Sequence, residues 1–471
     1  MDMYDTFWGI PSWLWLIVLL VVLGGTLASL LFPLWLRRFL NQQIDQTVTR
    51  LFTEAYTKNL LEGVNAVRKV GIQTTVENEL RAHTPEPLSK PIGTHRNFPD
   101  FDGLLFSPVQ LSVQPLDHTV PISLETKIGK HAEKPMILSM PMMVTAMGYG
   151  VSISKPFIHA IAKGTALANT AMNAGQGPVL SELREYARHM IVQYHGAPWR
   201  PSEEALRAAD MIEIRYGQGA NVGCGTVVPK KTLTREIMSD MGFSPDEPLQ
   251  DLYIPVGIPG IHSLADLKQL VHYLRKAGRG VPIALKMAAG LDLERNIEMA
   301  VKAGVDVIVI DGAQGGTHSS PAILVDDFGL PTLSALCRAE QFLCQKDLRD
   351  QVDLVISGGI RTPGDILKAL ALGADGVYMG TAALFAATHT QITKALPFEP
   401  PTQLAFADGS LFEQYDVEKG AQSLANYLRS CSEEMKVGVR AVGKKSVHDV
   451  SKSDLMAWDA EAARVAGVPL I

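Results

Sequence analysis

Lys286 lies inside the apolar run VPIALKM, where a charge is uncommon. At the carboxyl end of a buried strand its ammonium would meet negative charge on a ligand. The plainer alternative is a lysine with a buried stem and a head that reaches water at a rim. His318, in DGAQGGTHSSP, carries ring nitrogens suited to general acid–base work or to holding a substrate. A turn histidine with no such role is the other reading. Cys224 stands between two glycines in GQGANVGCGTVVPKK, Gly217 to Lys231, directly behind the apolar run MIEIRY. A thiol whose ionisation is eased by nearby backbone N–H groups would serve as proton donor or covalent partner. A small inert residue filling a tight loop would look the same.

Three glycine-bearing loops also follow apolar runs. They are Asp311 to Pro321, with Gly315 and Gly316; Ser357 to Arg361 (SGGIR), with Gly358 and Gly359; and Gly380-Thr381. Glycine lets backbone N–H groups approach a phosphate closely, and a helix N-terminus behind it favours the charge. Any one of these loops reads equally well as a tight turn; three gathered on one face read as a phosphate grip. GQGANVG has glycine spacing that superficially resembles a dinucleotide-binding turn. Thr226, Val227, Val228 and Pro229 then interrupt the helix such a turn requires, so that reading fails.

These side chains need a scaffold, and the chain from about Pro135 supplies one. Apolar runs recur at PMMVTAM, LANTAMN, HMIVQYH, MIEIRY, VPIALKM, VDVIVIDG, VDLVISG and DGVYMGT. Between them lie helix signals. Ser263 caps a stretch with Leu264, Leu267, Leu270 and Leu274 on one face and Gly278 behind it. Thr362-Pro363 opens another, with Ile366, Leu367 and Leu370 inward and Gly373 behind. AGVDVIVIDG and LGADGVYMG form a weak internal repeat of the same unit. Eight strands alternating with helices predict an α/β fold, a (β/α)8 TIM barrel over 135–385, with a doubly wound sheet as the alternative. In a barrel the loops at the carboxyl ends of the strands share one face, which would gather the glycine-rich loops.

The remaining segments differ in kind. Residues 1–40 are expected to form a transmembrane anchor: Thr6 to Leu36 carries no charge and is apolar almost throughout, enough to span the hydrocarbon core. Trp8, Trp13, Trp15 and Trp35 lie near its ends, Asp2 and Asp5 precede it, and Arg37 and Arg38 follow. The positive-inside bias then places the body of the chain in the cytoplasm, on a single-pass anchor in the cell membrane. A cleaved signal peptide would want basic residues first and a shorter apolar core. Residues 41–134 read as an amphipathic helical stalk from Asn41 to about Leu80 and a proline-spaced lead-in. The stalk lies along the membrane or pairs with a second copy to give a homo-oligomer; the sequence does not choose. Residues 386–471 read as a helical C-terminal extension.

Composition narrows the function classes. With 471 residues, 46% hydrophobic, and a net charge of −6 without a basic stripe, the chain is not built for nucleic acid. Cys224, Cys337, Cys344 and Cys431 have no paired metal-ligand spacing, so no metal site is expected, and they fit a reducing compartment.

From NFPDFDGLLFSPVQL onward the chain resembles the FMN-binding, glutamate-forming domain of glutamate synthase, most of all the short bacterial and archaeal versions without an amidotransferase. The resemblance runs from about Phe98 to Pro469. It is carried by MGYGVSIS, NAGQG (the family's NTGEG), QYHGAPWRPSEEAL, EIRYGQGANVGCGTVVPKK, GGTHSSP, SGGIRTPGDILKALALGADGVYMGT and SEEMKVGVRAVGKKSVHDVSKSDLMAWD. It implies FMN in the barrel mouth, with Gln193, Lys286, Gly315, Gly316, Gly358, Gly359, Gly380 and Thr381 at cofactor-contacting positions.

The departures bear on the substrate. Where the family writes a glutamate in NTGEG and a lysine and glutamate in GAKPGEGG, this chain has Gln176, Asn221 and Cys224, and Val227 replaces the glutamine of GGQLPG. Two carboxylates and an ammonium are gone, so a keto dicarboxylate would lose a cationic partner and imine formation would lose acid–base groups. The stretch TAALFAATHTQITKALPFEPPTQLAFADG contains no cysteine, so no iron–sulfur cluster is expected there.

The expected function is therefore a membrane-anchored FMN-dependent oxidoreductase acting on an amino, imino or keto acid-like small molecule, with glutamate formation itself doubtful. Gln176, Asn221, His318 and Cys224 are the candidate substrate-side residues. Electrons would pass to or from a partner protein, a quinone or the substrate. Two alternatives stay open: a flavin- or metabolite-binding sensor or partner subunit without turnover, and a nucleotide-monophosphate dehydrogenase-like enzyme using Cys224.

Overall fold

The computed structural model describes residues 6–7 and 10–471, so Asp2, Asp5 and Trp8 lie outside the described residues. The chain divides into two compact units, Met1–Leu88 and Ser89–Ile471.

In the first unit a continuous helix, Ser12–Thr53, runs through Pro33. It is long and apolar enough to cross a membrane, and its apolar window is exposed throughout. The helix does not restart near Asn41 but carries the apolar stretch straight into the polar one. Asn59 caps the next helix, Leu60–Val70, by accepting from the Leu61 N–H at 2.9 Å. Gly71, at φ 90°, breaks the chain before Ile72–His83.

The second unit is a closed barrel of eight parallel strands: β1 Met142–Ala146, β2 Ala171–Asn173, β3 His189–Tyr194, β4 Met211–Arg215, β5 Ile283–Ala288, β6 Val307–Asp311, β7 Asp353–Ser357 and β8 Gly376–Met379. Each expected apolar run supplies one strand. Closure comes from β8 pairing with β1, Val377 opposite Met142, which excludes the doubly wound sheet. The runs are continuous because both faces of these strands are buried, one inside the barrel and one under helices. Met143, Ile191, Met211, Ala284, Val309, Val355 and Tyr378 fill the interior and are 0–1% exposed. A hairpin of Thr126–Ile128 and Met136–Leu138 adds Ile128, Met136 and Leu138 to that cluster. The Gly129 N–H donates to Asp353 at the start of β7, so the hairpin plugs the amino-terminal end and leaves the other end open.

Helices follow the strands, and their starts are written in the sequence. Ser263 and Asp266 form a reciprocal capping box on α1, Leu264–Ala277. Thr362 and Asp365 do the same on α2, Pro363–Ala371, with proline at the first position, where its missing N–H costs nothing. The helix Thr381–Thr388, α3, begins directly after β8. A 25-residue helix, Val417–Ala441, buries Ala421, Leu424, Leu428 and Met435 against the barrel's outer layer. The lead-in and the tail clasp each other: Leu104–Phe106 pairs antiparallel with Leu455–Ala457. After β4 the Gly217–Lys231 segment enters an antiparallel strand pair, Thr226–Val228 with Leu252–Ile254, rather than a helix.

Candidate functional site

The carboxyl ends of the barrel strands surround a cavity of about 230 Å³. On β5, Lys286 is 2% exposed, and its ammonium lies 3.3 Å from Asp311 Oδ2 at the end of β6. It donates to Thr145 Oγ1 at 3.2 Å and sits 5.6 Å from the Tyr378 ring centroid. Burying an ammonium is tolerable only with such partners. Lys286 is therefore no rim lysine: its charge is committed inside the barrel, along the cavity wall.

Beneath the cavity, Glu213 on β4 is fully buried and collects three donors. Gln193 Nε2 lies 2.7 Å and Asn173 Nδ2 2.9 Å from its Oε1, and the Tyr378 hydroxyl lies 2.8 Å from its Oε2. Burial, followed by the Glu213 charge, pushes the Tyr378 phenol well above its ordinary range. Two residues along β4, Arg215 is 3% exposed and donates to Asn221 Oδ1 at 3.0 Å. Burial lowers the Arg215 pKa to about 10, against the opposing pull of Glu213 and Asp311. Asn221 is thus a neutral amide bonded to a buried guanidinium. A lysine in its place would set two cations against each other.

One side of the cavity is backbone-rich. Gly315, Gly316, Ser357, Gly358, Gly359, Ile360, Gly380 and Thr381 line it. Gly359 has φ 70°, and a Cβ there would meet Gln314 Cβ at 2.8 Å. A Cβ on Gly316 would lie 2.4 Å from the Ile92 carbonyl. The glycines hold these loops close-packed, and the N-terminus of α3 opens on the same wall, an arrangement that can take an anion.

Another part of the wall is polar and aromatic. His318 Nε2 lies 2.8 Å from Asp408 Oδ1, and its ring packs edge-on to Phe406, with centroids 4.6 Å apart. The hydrogen bond from His318 holds the Asp408 carboxyl below its usual range, with Lys231 adding a smaller pull. Gln176 lines the cavity; its backbone carbonyl accepts from Trp199 Nε1 at 2.8 Å, while its Nε2 is buried and unpartnered. Gln193 Oε1 and Asp311 Oδ1, also on lining residues, are likewise buried without a partner. Buried polar atoms are nearly always paired, so three such atoms around one cavity mark a place for a ligand.

The structure brings Gln176, Gln193, Asn221, Lys286, Gly315, Gly316, His318, Gly358, Gly359, Gly380 and Thr381 to the cavity wall. Cys224 is not among the lining residues and is exposed. Val222 and Gly223 both take positive φ, 45° and 82°, and the Cys224 N–H closes a turn on the Asn221 carbonyl at 2.8 Å. That turn keeps Asn221 at the wall without Cys224. Sequence reasoning did not single out Glu213, Arg215, Tyr378 or Asp408. Glu213 and Arg215 carried a signal, being charges inside the run MIEIRY, as Lys286 is in its own; Asp408 carried none.

A family model described as a conserved region in glutamate synthase matches residues 107–445. An archaeal-type glutamate synthase (NADPH) of Thermotoga maritima is 33% identical over 394 residues, 79% of this chain and 76% of that protein. A glutamate synthase large subunit-like protein of Rhizobium meliloti is 31% identical over 405 residues, 80% of this chain and 89% of that one. Among solved structures, the recombinant flavin-binding domain of baker's yeast flavocytochrome b2 shares the fold, with a TM-score of 0.50 at 16% identity over 81% of this chain and 84% of its own. The family match covers the barrel and the loops that build the cavity, and the chain belongs to the glutamate synthase family.

Proposed function

We propose that this chain is an FMN-dependent oxidoreductase whose substrate is a small amino, imino or keto acid. One observation carries the reading. Gln193 Oε1, Gln176 Nε2 and Asp311 Oδ1 are left unpartnered in the wall of a cavity that also holds a buried lysine and a glycine-rich, anion-accepting side. A flat, hydrogen-bonding ring with a phosphate arm fits that donor and acceptor set. Gly358, Gly359, Gly380 and Thr381 would hold the phosphate, and Gln193, Lys286, Gly315 and Gly316 the ring. Bound there, FMN would supply two-electron chemistry.

The chain's own residues do the rest. Lys286 holds a fixed positive charge where negative charge develops, already desolvated and held by Asp311. His318 exchanges a proton at Nδ1, because Asp408 occupies Nε2 and fixes the tautomer. Phe406 packs nearly perpendicular to that imidazole and steadies the ring. Gln176 and Asn221 orient the substrate, with the Arg215 guanidinium behind Asn221. The exposed position of Cys224 takes the nucleophile away from the nucleotide-dehydrogenase reading.

The N-terminal helix is read as a single-pass membrane anchor with the barrel on the cytoplasmic side, exchanging electrons with a partner protein or a quinone. The full-length chain purified in detergent is expected to carry, or take up, FMN with a flavin absorbance spectrum, and to be reduced by an amino or hydroxy acid. A chain that takes up no FMN overturns the reading. A protein that stays in the soluble fraction after cell lysis overturns the anchor.

A further inference from the structure

Asn173 has no freedom at its amide: its Oδ1 accepts the Gly175 N–H at 3.0 Å, so its Nδ2 must face Glu213 Oε1, at 2.9 Å. The same oxygen takes the Gln193 Nε2 at 2.7 Å, and the other takes the Tyr378 hydroxyl at 2.8 Å. Turning the Gln193 amide over would set its carbonyl oxygen against Glu213 Oε1, two acceptors at hydrogen-bond distance. Gln193 is 1% exposed and Glu213 is fully buried, so that repulsion would act in a low dielectric. The amide is therefore locked one way, and the atom left over is Oε1, buried, unpartnered and part of a cavity-lining residue. At this point the site presents an acceptor and cannot present a donor.

We infer that Glu213 is a positioning residue that fixes the Gln193 amide as an acceptor for an imide-type ring N–H of the bound cofactor. The inference rests on the flavin reading. The oxidised flavin ring carries a single N–H, at N3, flanked by two carbonyls, and it matches an acceptor. Glu213 touches neither cofactor nor substrate; it acts through Gln193 and, on its other oxygen, through Tyr378, which packs beside Lys286.

The test compares FMN with 3-methyl-FMN, which lacks that N–H, on the full-length protein stripped of flavin, with affinity read from flavin fluorescence. The wild type is expected to bind 3-methyl-FMN about tenfold or more weakly, since a buried acceptor left unpaired costs about 1–3 kcal/mol. Gln193→Met removes the acceptor and should bind the two flavins within about twofold of each other. If Gln193→Met keeps the discrimination, the methyl group is merely a clash and the inference is overturned. Glu213→Leu frees the amide to turn and should also lose discrimination. Glu213→Gln should keep it, because Asn173 still demands an acceptor at that oxygen. A folded Glu213→Leu protein that discriminates like the wild type overturns the role of Glu213. Should Glu213→Leu fail to fold, loss of discrimination in Glu213→Gln overturns it instead. Wild-type protein that binds both flavins equally overturns the inference alone, whereas wild-type protein that binds neither overturns the flavin reading and this inference with it.

Discussion

His318 and Asp408 meet at 2.8 Å, Nε2 to Oδ1, across 90 residues of sequence, and the pair stands in the wall of the barrel cavity. The contact joins the loop after β6 to the turn that precedes the C-terminal helices. It leaves Nδ1 as the basic nitrogen of the neutral ring. The histidine therefore has a fixed tautomer, a carboxylate beside it and a place in the cavity wall, the features a general base needs.

The dyad predicts a rate effect larger than any binding effect. His318→Gln should slow reduction of the bound flavin by roughly 10²–10⁴-fold, the usual range for removing a general base. Asp408→Asn should slow it less, by disturbing the tautomer while leaving the ring in place. Anaerobic stopped-flow with any compound that reduces the wild type, beginning with L-glutamate, measures both. A change in half-saturating concentration with an unchanged limiting rate would make His318 a binding group only.

Lys286 predicts a penalty that can be undone. Lys286→Met leaves the Asp311 carboxylate buried with neither ammonium nor a partner for Oδ1. Breaking a buried pair from one side costs about 3–5 kcal/mol. Asp311→Asn in the same chain removes the stranded charge, so the double variant should recover much of the lost thermal stability while still binding FMN poorly. Melting temperatures of the four proteins give the coupling directly. Additive losses would mean the two charges do not interact.

Which parts of this site were legible follows from what a sequence encodes locally. All eight strands could be read because a parallel barrel strand is buried on both faces and stands out as a short unbroken apolar run, as in VDVIVIDG. The capping boxes at Ser263 and Thr362 are likewise local, each complete within four residues. The partners of His318 and Lys286 depend instead on barrel closure and on how the C-terminal turn packs, and no short-range pattern carries that. Glu213 was hidden differently: a charge in a strand was visible, but its role lies in three donors from strands β2, β3 and β8. Cys224 shows the limit of reading a loop by composition. Glycine spacing announces a turn, and only the positive φ at Val222 and Gly223 shows which residues face inward.

The exposed thiol gives a prediction with an opposite sign to the usual one for a lone cysteine in a glycine loop. Cys224→Ser should leave FMN affinity and flavin reduction within about twofold of wild type, as expected for a surface change that breaks no buried contact. Native protein should react readily with a thiol reagent at Cys224, and slowly at Cys431, which is buried. Mass mapping of the labelled residues checks the second statement. Protection of Cys224 by bound FMN would contradict its position outside the cavity.

His195 predicts how the barrel responds to acid. It is 1% exposed, its Nδ1 accepts the Ala197 N–H at 3.3 Å, and its Nε2 has no partner. Burial first, and then the Arg215 charge, lower its pKa from 6.5 to about 3. The ring is neutral in both folded and unfolded chains above pH 6.5, so its contribution to stability is intact there. Below that value the unfolded chain binds the proton and the folded one does not, and stability falls with pH until the folded ring titrates near 3. At about 1.4 kcal/mol per pH unit, moving from pH 7 to pH 5 should cost on the order of 2 kcal/mol through this residue alone. His195→Gln keeps an acceptor for the Ala197 N–H and has no proton to gain. Its urea midpoint should shift less than the wild type's between those two pH values. Equal shifts in the two proteins would mean that His195 is protonated in the folded barrel or that the site opens to water.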